Sequence, residues 1–142
     1  MNLSTTAKAT RVSNAVAAGT SDINSSSLDM LNFLAVEFTV AFGAITSGAV
    51  TSVKLQGSDD DTSWSDLTGT DQTVADDDDD QLFILDCPHP RHRYVRCVVG
   101  RGTQNAVVDG IIARQYEASS LPVTHDTTTV GGSEVNHAPA AA

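Results

Sequence analysis

Thiols and imidazoles crowd into residues 87–97, where Cys87, His89, His92 and Cys97 supply two of each. That is the ligand set of structural zinc. The order C-x-H-x2-H-x4-C is not a common zinc spacing, however, and Pro88 and Pro90 stiffen the loop. A disulfide is a second reading, because a loop of this length can bring two sulfurs onto adjacent strands. Two ordinary thiols are the third and preferred one, since Cys97 falls in step with the apolar Val95 and Val99. The other histidines, His125 and His137, lie in a stretch with no periodic pattern. Such a stretch holds a catalytic group poorly. No G-x-S-x-G elbow, Walker loop or dinucleotide fingerprint occurs. The expectation is a protein that is not an enzyme and that takes no cofactor and no metal.

Oxygen ligands are more plentiful. Asp76 to Asp80 form an unbroken aspartate run, and Asp59-Asp60-Asp61 is a second acidic turn. Calcium takes six or more oxygens. Neither run has EF-hand spacing, and a solvated turn whose charges discourage edge pairing is the simpler reading. A cation becomes attractive only if the two turns converge. Against this acidity stands one basic cluster, Arg91, Arg93, Arg96 and Arg101. Guanidinium groups suit fixed, bidentate pairing with carboxylates. In a chain of formal net charge −10, the expected partner is a protein surface or the chain's own aspartates. The same charge repels nucleic acid and anionic membrane, so neither is an expected partner. No apolar run approaches the roughly 18 residues of a membrane span. Met1 to Thr20 lacks a continuous apolar segment, so no secretory signal is expected.

The elements that must position these groups are strands. Leu34, Val36, Phe38, Val40 and Phe42 alternate with the polar Glu37 and Thr39. A period of two is that of a half-buried strand. Val50 to Gln56 alternates again, and Gly57 to Asp61 is a turn cluster. Short strands are predicted at Trp64–Leu67, Gln72–Ala75 and Leu82–Leu85, and a longer one at Arg93–Val99. Ala106–Tyr116 closes the series, apolar on both faces near Val107, Val108, Ile111 and Ile112. Seven or so strands and no convincing helix predict an all-β fold, an antiparallel β-sandwich or jelly roll. The 142 residues suit one domain. Residues 1–30 and 118–142 are rich in Ser, Thr and Ala. They read as an extended N-terminal arm and C-terminal tail around a body at 31–117. Deleting residues 1–30 is then expected to leave a folded body.

Three stretches carry a family resemblance. They are Val53 to Leu67, the aspartate run leading into Leu82-Phe83-Ile84-Leu85-Asp86, and Arg93-Tyr94-Val95-Arg96 leading to Asn105 to Ile111. In this succession the chain resembles small virion proteins of tailed bacteriophages, of the capsid decoration (cement) type. The first stretch alone is also similar to carbohydrate-binding β-sandwiches, with Trp64, Tyr94 and Tyr116 as candidate stacking residues. The phage resemblance implies a protein made in the bacterial host cytoplasm and bound to the exterior of the virion capsid. Its implied partners are the major capsid protein and other copies of itself, most often in a homotrimer. Tail, connector or head-fibre proteins of the same virion are the neighbouring alternative. Within that reading Arg91, Arg93, Arg96, Val107 and Val108 are the residues expected to make subunit or capsid contacts.

Overall fold

The computed structural model describes residues 2–138 and 140. Among these, a four-residue helix, α1 (Leu3–Thr6), precedes eleven strands. They are β1 (Lys8–Ser13), β2 (Val16–Gly19), β3 (Ile23–Asn24), β4 (Leu28–Asp29), β5 (Phe33–Ile45), β6 (Val50–Ser58), β7 (Ser65–Asp66), β8 (Gln72–Val74), β9 (Leu82–Pro88), β10 (Tyr94–Gly102) and β11 (Ala106–Ala118). Sheet A has the order β1-β11-β5-β9, with β2 also on β11. Sheet B has the order β3-β10-β6-β7, with β4 also on β10 and β8 also on β6.

The pairs β1/β2, β3/β4 and β7/β8 each act as one interrupted edge strand. Counted so, the chain has eight strands. The first pairs with the last, the second with the seventh, the third with the sixth and the fourth with the fifth. This is one long hairpin rolled into two antiparallel sheets, the wrapped order of a jelly roll. The all-β sandwich expected from the alternation is therefore present.

The core lies between the sheets. Val36, Phe38, Val40 and Phe42 point inward from β5, where they cluster with Val53 and Leu55 of β6 and Val95 and Val99 of β10. Phe42 meets Phe83 edge-to-face at 5.5 Å. The double apolar face of β11 has a local cause. Bulges between Ala106 and Gly110 shift its register against β5, so that Val108 and Ile111 both turn inward. Pro88 ends β9, an edge strand, where a missing N–H breaks no ladder.

The boundary expected at 30 is corrected by the structure, whereas β11 ends at Ala118, the expected start of the tail. Residues 8–29 are not a free arm. They supply one edge to each sheet, and Val12, Ile23 and Leu28 are buried in the core, as is Met30 beyond them. Each of these strands is two to six residues long, too short for a period to show. Beyond β11 no strand forms among the described residues, but the tail folds back. Val123 N–H donates to the Thr5 carbonyl at 2.9 Å. His125 accepts from Ala9 N–H at 3.1 Å and lies 2.8 Å from the Ser4 carbonyl. Met1, Pro139, Ala141 and Ala142, at the extremities of the expected arm and tail, lie outside the described residues.

Candidate functional site

The groups that could hold a metal are dispersed. Cys87 lies on β9 of sheet A and Cys97 on β10 of sheet B, and both are free thiols. Burial pushes the Cys97 thiol up to about 12. His92 lies 3.2 Å from Asp59, and His89 lies 3.4 Å from Glu117. Among the described residues, no three His, Cys, Asp or Glu side chains are grouped to hold an ion. The two acidic turns do not converge: they sit at opposite ends of β6, about 25 Å apart for a strand of that length. Their carboxylates are taken up by backbone, the longer run holding the turn between β5 and β6 and Asp60 its own turn. Asp76 accepts from Gly48 N–H at 2.6 Å and Asp79 from Ile45 N–H at 3.1 Å. Asp60 accepts from the backbone of Ser63 and Thr62, which keeps its carboxyl far below the usual carboxylate range.

The arginine cluster also separates. Arg93 makes a bidentate pair with Asp29, at 2.5 and 2.8 Å, that pins β4 to β10. Arg96 donates twice to Gln56 Oε1 and stacks 4.4 Å above the Trp64 ring. That ring face is thereby covered. Tyr94 belongs to sheet B and Tyr116 to sheet A, so the three aromatics build no common stacking platform. Arg101 is buried. Arg91 has no ion-pair partner among the described residues.

Arg91 and Arg93 meet at a cleft. At one end of the sandwich, residues 30–34, 89–93 and 117–119 enclose about 650 Å³. Met30 and Pro90 are buried beneath it, while Leu31 and Leu34 stand at its rim, each 57% exposed. The imidazole of His92 lies across Gly57, where a Cβ would come within 2.5 Å of the ring. Four residues lining the cleft hold left-handed backbone: Asn32 (φ 72°), His89 (75°), Arg91 (63°) and Glu117 (53°). Asn and His adopt this conformation readily, whereas for Arg and Glu it costs about 1 kcal/mol or more. Strain of this kind concentrates at functional sites and ligand clamps. The alternation placed Leu34 in the core, and only the structure reveals it as rim. Asn32 and Glu117 carry no sequence signal, because the contact joining their loops is long-range.

A second surface stands out. On the outer face of sheet A, Ala9, Arg114, Glu37 and Asp86 form one row across β1, β11, β5 and β9. Arg11, Ile112, Thr39 and Ile84 form the next row, and Gly110, Ala41 and Leu82 the one after. Leu82, Ile84 and Ile112 are 62%, 53% and 46% exposed. A hollow of about 700 Å³ lies over them, walled on the β1 side by Thr129–Gly131 of the tail. The contact expected at Val108 is corrected, because Val108 is fully buried in the core; Val107 is half-buried, and Ile112 faces outward. The outer face of sheet B is polar by contrast, with Lys54 3.0 Å from Asp66 and Gln56 bonded to both Asp66 and Arg96.

No protein-family model matches the chain, and no curated protein matches it significantly. Among solved structures it is similar to the PBSX exported protein XepA, with 19% identity, a TM-score of 0.53, and coverage of 97% of this chain and 45% of that one. A structure of infectious bursal disease virus, Gx strain, matches 82% of this chain and 33% of its own at 10% identity and a TM-score of 0.49. The chain thus spans less than half the length of XepA. At 19% identity, the XepA likeness is one of fold. Fold and surface together define a two-sheet β-sandwich with a preformed end cleft and an exposed apolar patch on the outer face of sheet A.

Proposed function

We propose that this protein is a structural component of a tailed-phage virion, a decoration or cement protein that binds the outside of the major capsid shell and bridges its subunits. The observation that carries this reading is the end cleft. Its apolar floor and rim, its strained loops and the unpaired Arg91 make a ready seat for a protein segment with an apolar side chain and a carboxylate. The sequence resemblance of three stretches supports the virion assignment, and the fold shared with the PBSX exported protein XepA is consistent with it. The protein would act by adhesion and transform no substrate. Each cleft contact would be modest, and several copies bridging the same shell would combine into durable attachment.

The test uses purified shells of the parent phage stripped of this protein. The wild-type chain is expected to co-sediment with them at hundreds of copies per particle. Arg91→Glu and Leu34→Asp are each expected to weaken binding at least tenfold without lowering the melting temperature, since both side chains are exposed. Six or twelve copies per particle would move the protein to the tail or connector. No binding to any particle would remove the virion reading.

A further inference from the structure

A formal net charge of −10 sets copy against copy and so opposes self-association through surfaces without compensating charge. The outer face of sheet A is the exception. Its exposed apolar residues, Leu82, Ile84 and Ile112, lie among charges of both signs. The signs are also ordered. Arg11 and Arg114 occupy β1 and β11, and Glu37 and Asp86 occupy β5 and β9, so these two rows run from positive to negative across four adjacent strands, with Asp109 of β11 lying beyond them at the Gly110 end of the hollow. A surface with that gradient is complementary to itself after a half-turn.

We infer that two copies of this chain pack face to face through sheet A, about a two-fold axis that lies in the interface and runs along the strands. The half-turn reverses the order of strands, so β11 of one copy faces β5 of the other. The row Ala9-Arg114-Glu37-Asp86 then meets its own reverse, with Arg114 opposite Glu37 of the second copy and Glu37 opposite Arg114. In the next row Ile112 covers Thr39. Arg11 lies opposite Ile84 of the second copy, its guanidinium resting over Gly110 of its own β11. Such an isologous contact closes at two copies. The charge order therefore calls for a pair on this face, not the three-fold ring that the family resemblance implies. The tail flanks β1, which leaves β11, β5 and β9 free. With strands about 4.8 Å apart and a rise of about 3.4 Å per residue, these three strands over seven residues cover about 340 Å² per copy. Both copies together give about 690 Å², below the roughly 1,000 Å² of a stable specific interface, so the dimer is weak, reversible and dependent on concentration. This inference stands apart from the capsid reading, because the pure protein tests it.

Within one chain Arg114 and Glu37 already lie 3.9 Å apart, with side chains 43% and 30% exposed. The experiment must therefore separate a contact within a copy from one between copies, and sedimentation equilibrium on the full chain and two charge reversals does so. Wild type is expected to dissociate from dimer to monomer on dilution. Arg114→Glu alone and Glu37→Arg alone place like charges across the interface, and each is expected to weaken the dimer at least about tenfold. An equimolar mixture of the two variants restores opposite charges only between copies, and is expected to dimerise at close to wild-type strength. A mixture no stronger than its parts overturns the inference. So does a wild type that is monomeric at every concentration, or a trimer indifferent to both reversals. If either reversal fails to fold by circular dichroism, Ile84→Asp on the exposed edge strand replaces it: a monomer supports the face, and an unchanged dimer overturns it.

Discussion

Arg101 shows how one residue can be misplaced by its neighbours in sequence. It is 8% exposed, and its guanidinium meets no carboxylate. Nε donates to the Ser21 carbonyl at 2.7 Å, and Nη1 donates to Ala17 and Ala106 at 2.9 and 2.7 Å. One planar fork thus clamps the crossing from sheet A to sheet B onto the start of β11. Lysine cannot reproduce it, since a single ammonium does not reach three divergent acceptors in that geometry. Arg101→Lys is expected to lower stability by about 2–3 kcal/mol, read as a lower urea midpoint at unchanged slope. An unmoved midpoint would show that the clamp contributes nothing. The sequence did contain the clue: Val95, Cys97, Val99 and Arg101 share one parity, and the other three define the buried face of β10. Cys97, on that face, is expected to resist a thiol reagent at pH 8 until the chain is unfolded, because burial keeps its thiol protonated. Equal reactivity in native and unfolded protein would contradict this.

At the scale of elements, what could be read from sequence tracks length. β5, β6, β10 and β11 run 9 to 13 residues, long enough for a two-residue period to declare itself. The four strands within residues 8–29 each bury little, so composition dominated and the segment read as an arm. The site was legible to the same degree. Arg91 and Arg93 stand out as a cluster, but the opposite wall of their cleft comes from the turn before β5 and the end of β11, a pairing that no local pattern encodes. The expectation for truncation reverses accordingly. Removing residues 1–30 strips Val12, Ile23, Leu28 and Met30 from the core, at about 1.5–3 kcal/mol each, and both edge ladders with them. That is comparable with the whole stability of a domain. The truncated chain is expected to lose its cooperative thermal transition, whereas a chain ending after residue 118 is expected to keep one. A cooperative melt from the N-terminal truncation would show that the edges are dispensable.

For the whole molecule, the same carboxylates that make it acidic also set its limit in acid. Asp29 is held below the ordinary value by the bidentate bond from Arg93. Asp60 is lowered by the backbone of Ser63 and Thr62, Asp66 by Gln56 and Lys54, and Asp126 by Thr128. A carboxyl depressed in the folded state binds fewer protons there than in the unfolded chain. Its stabilisation is therefore complete above the unfolded value of about 3.9 and is lost as pH falls through the folded one. These groups are exposed, so solvent and salt reduce each contribution, but their signs agree. Stability is expected to hold from pH 7 to about 5 and to decline below 4. Asp29 has the widest structural reach, because it fixes the edge strand β4 and the arginine that lines the cleft. Asp29→Asn is therefore expected to lower stability at neutral pH and to flatten the acid limb, with variant and wild type converging only once pH has fallen through the depressed folded value of Asp29. Urea midpoints measured across that range decide it. Two profiles that stay parallel would mean that the ion pair does not couple the edge of sheet B to protonation.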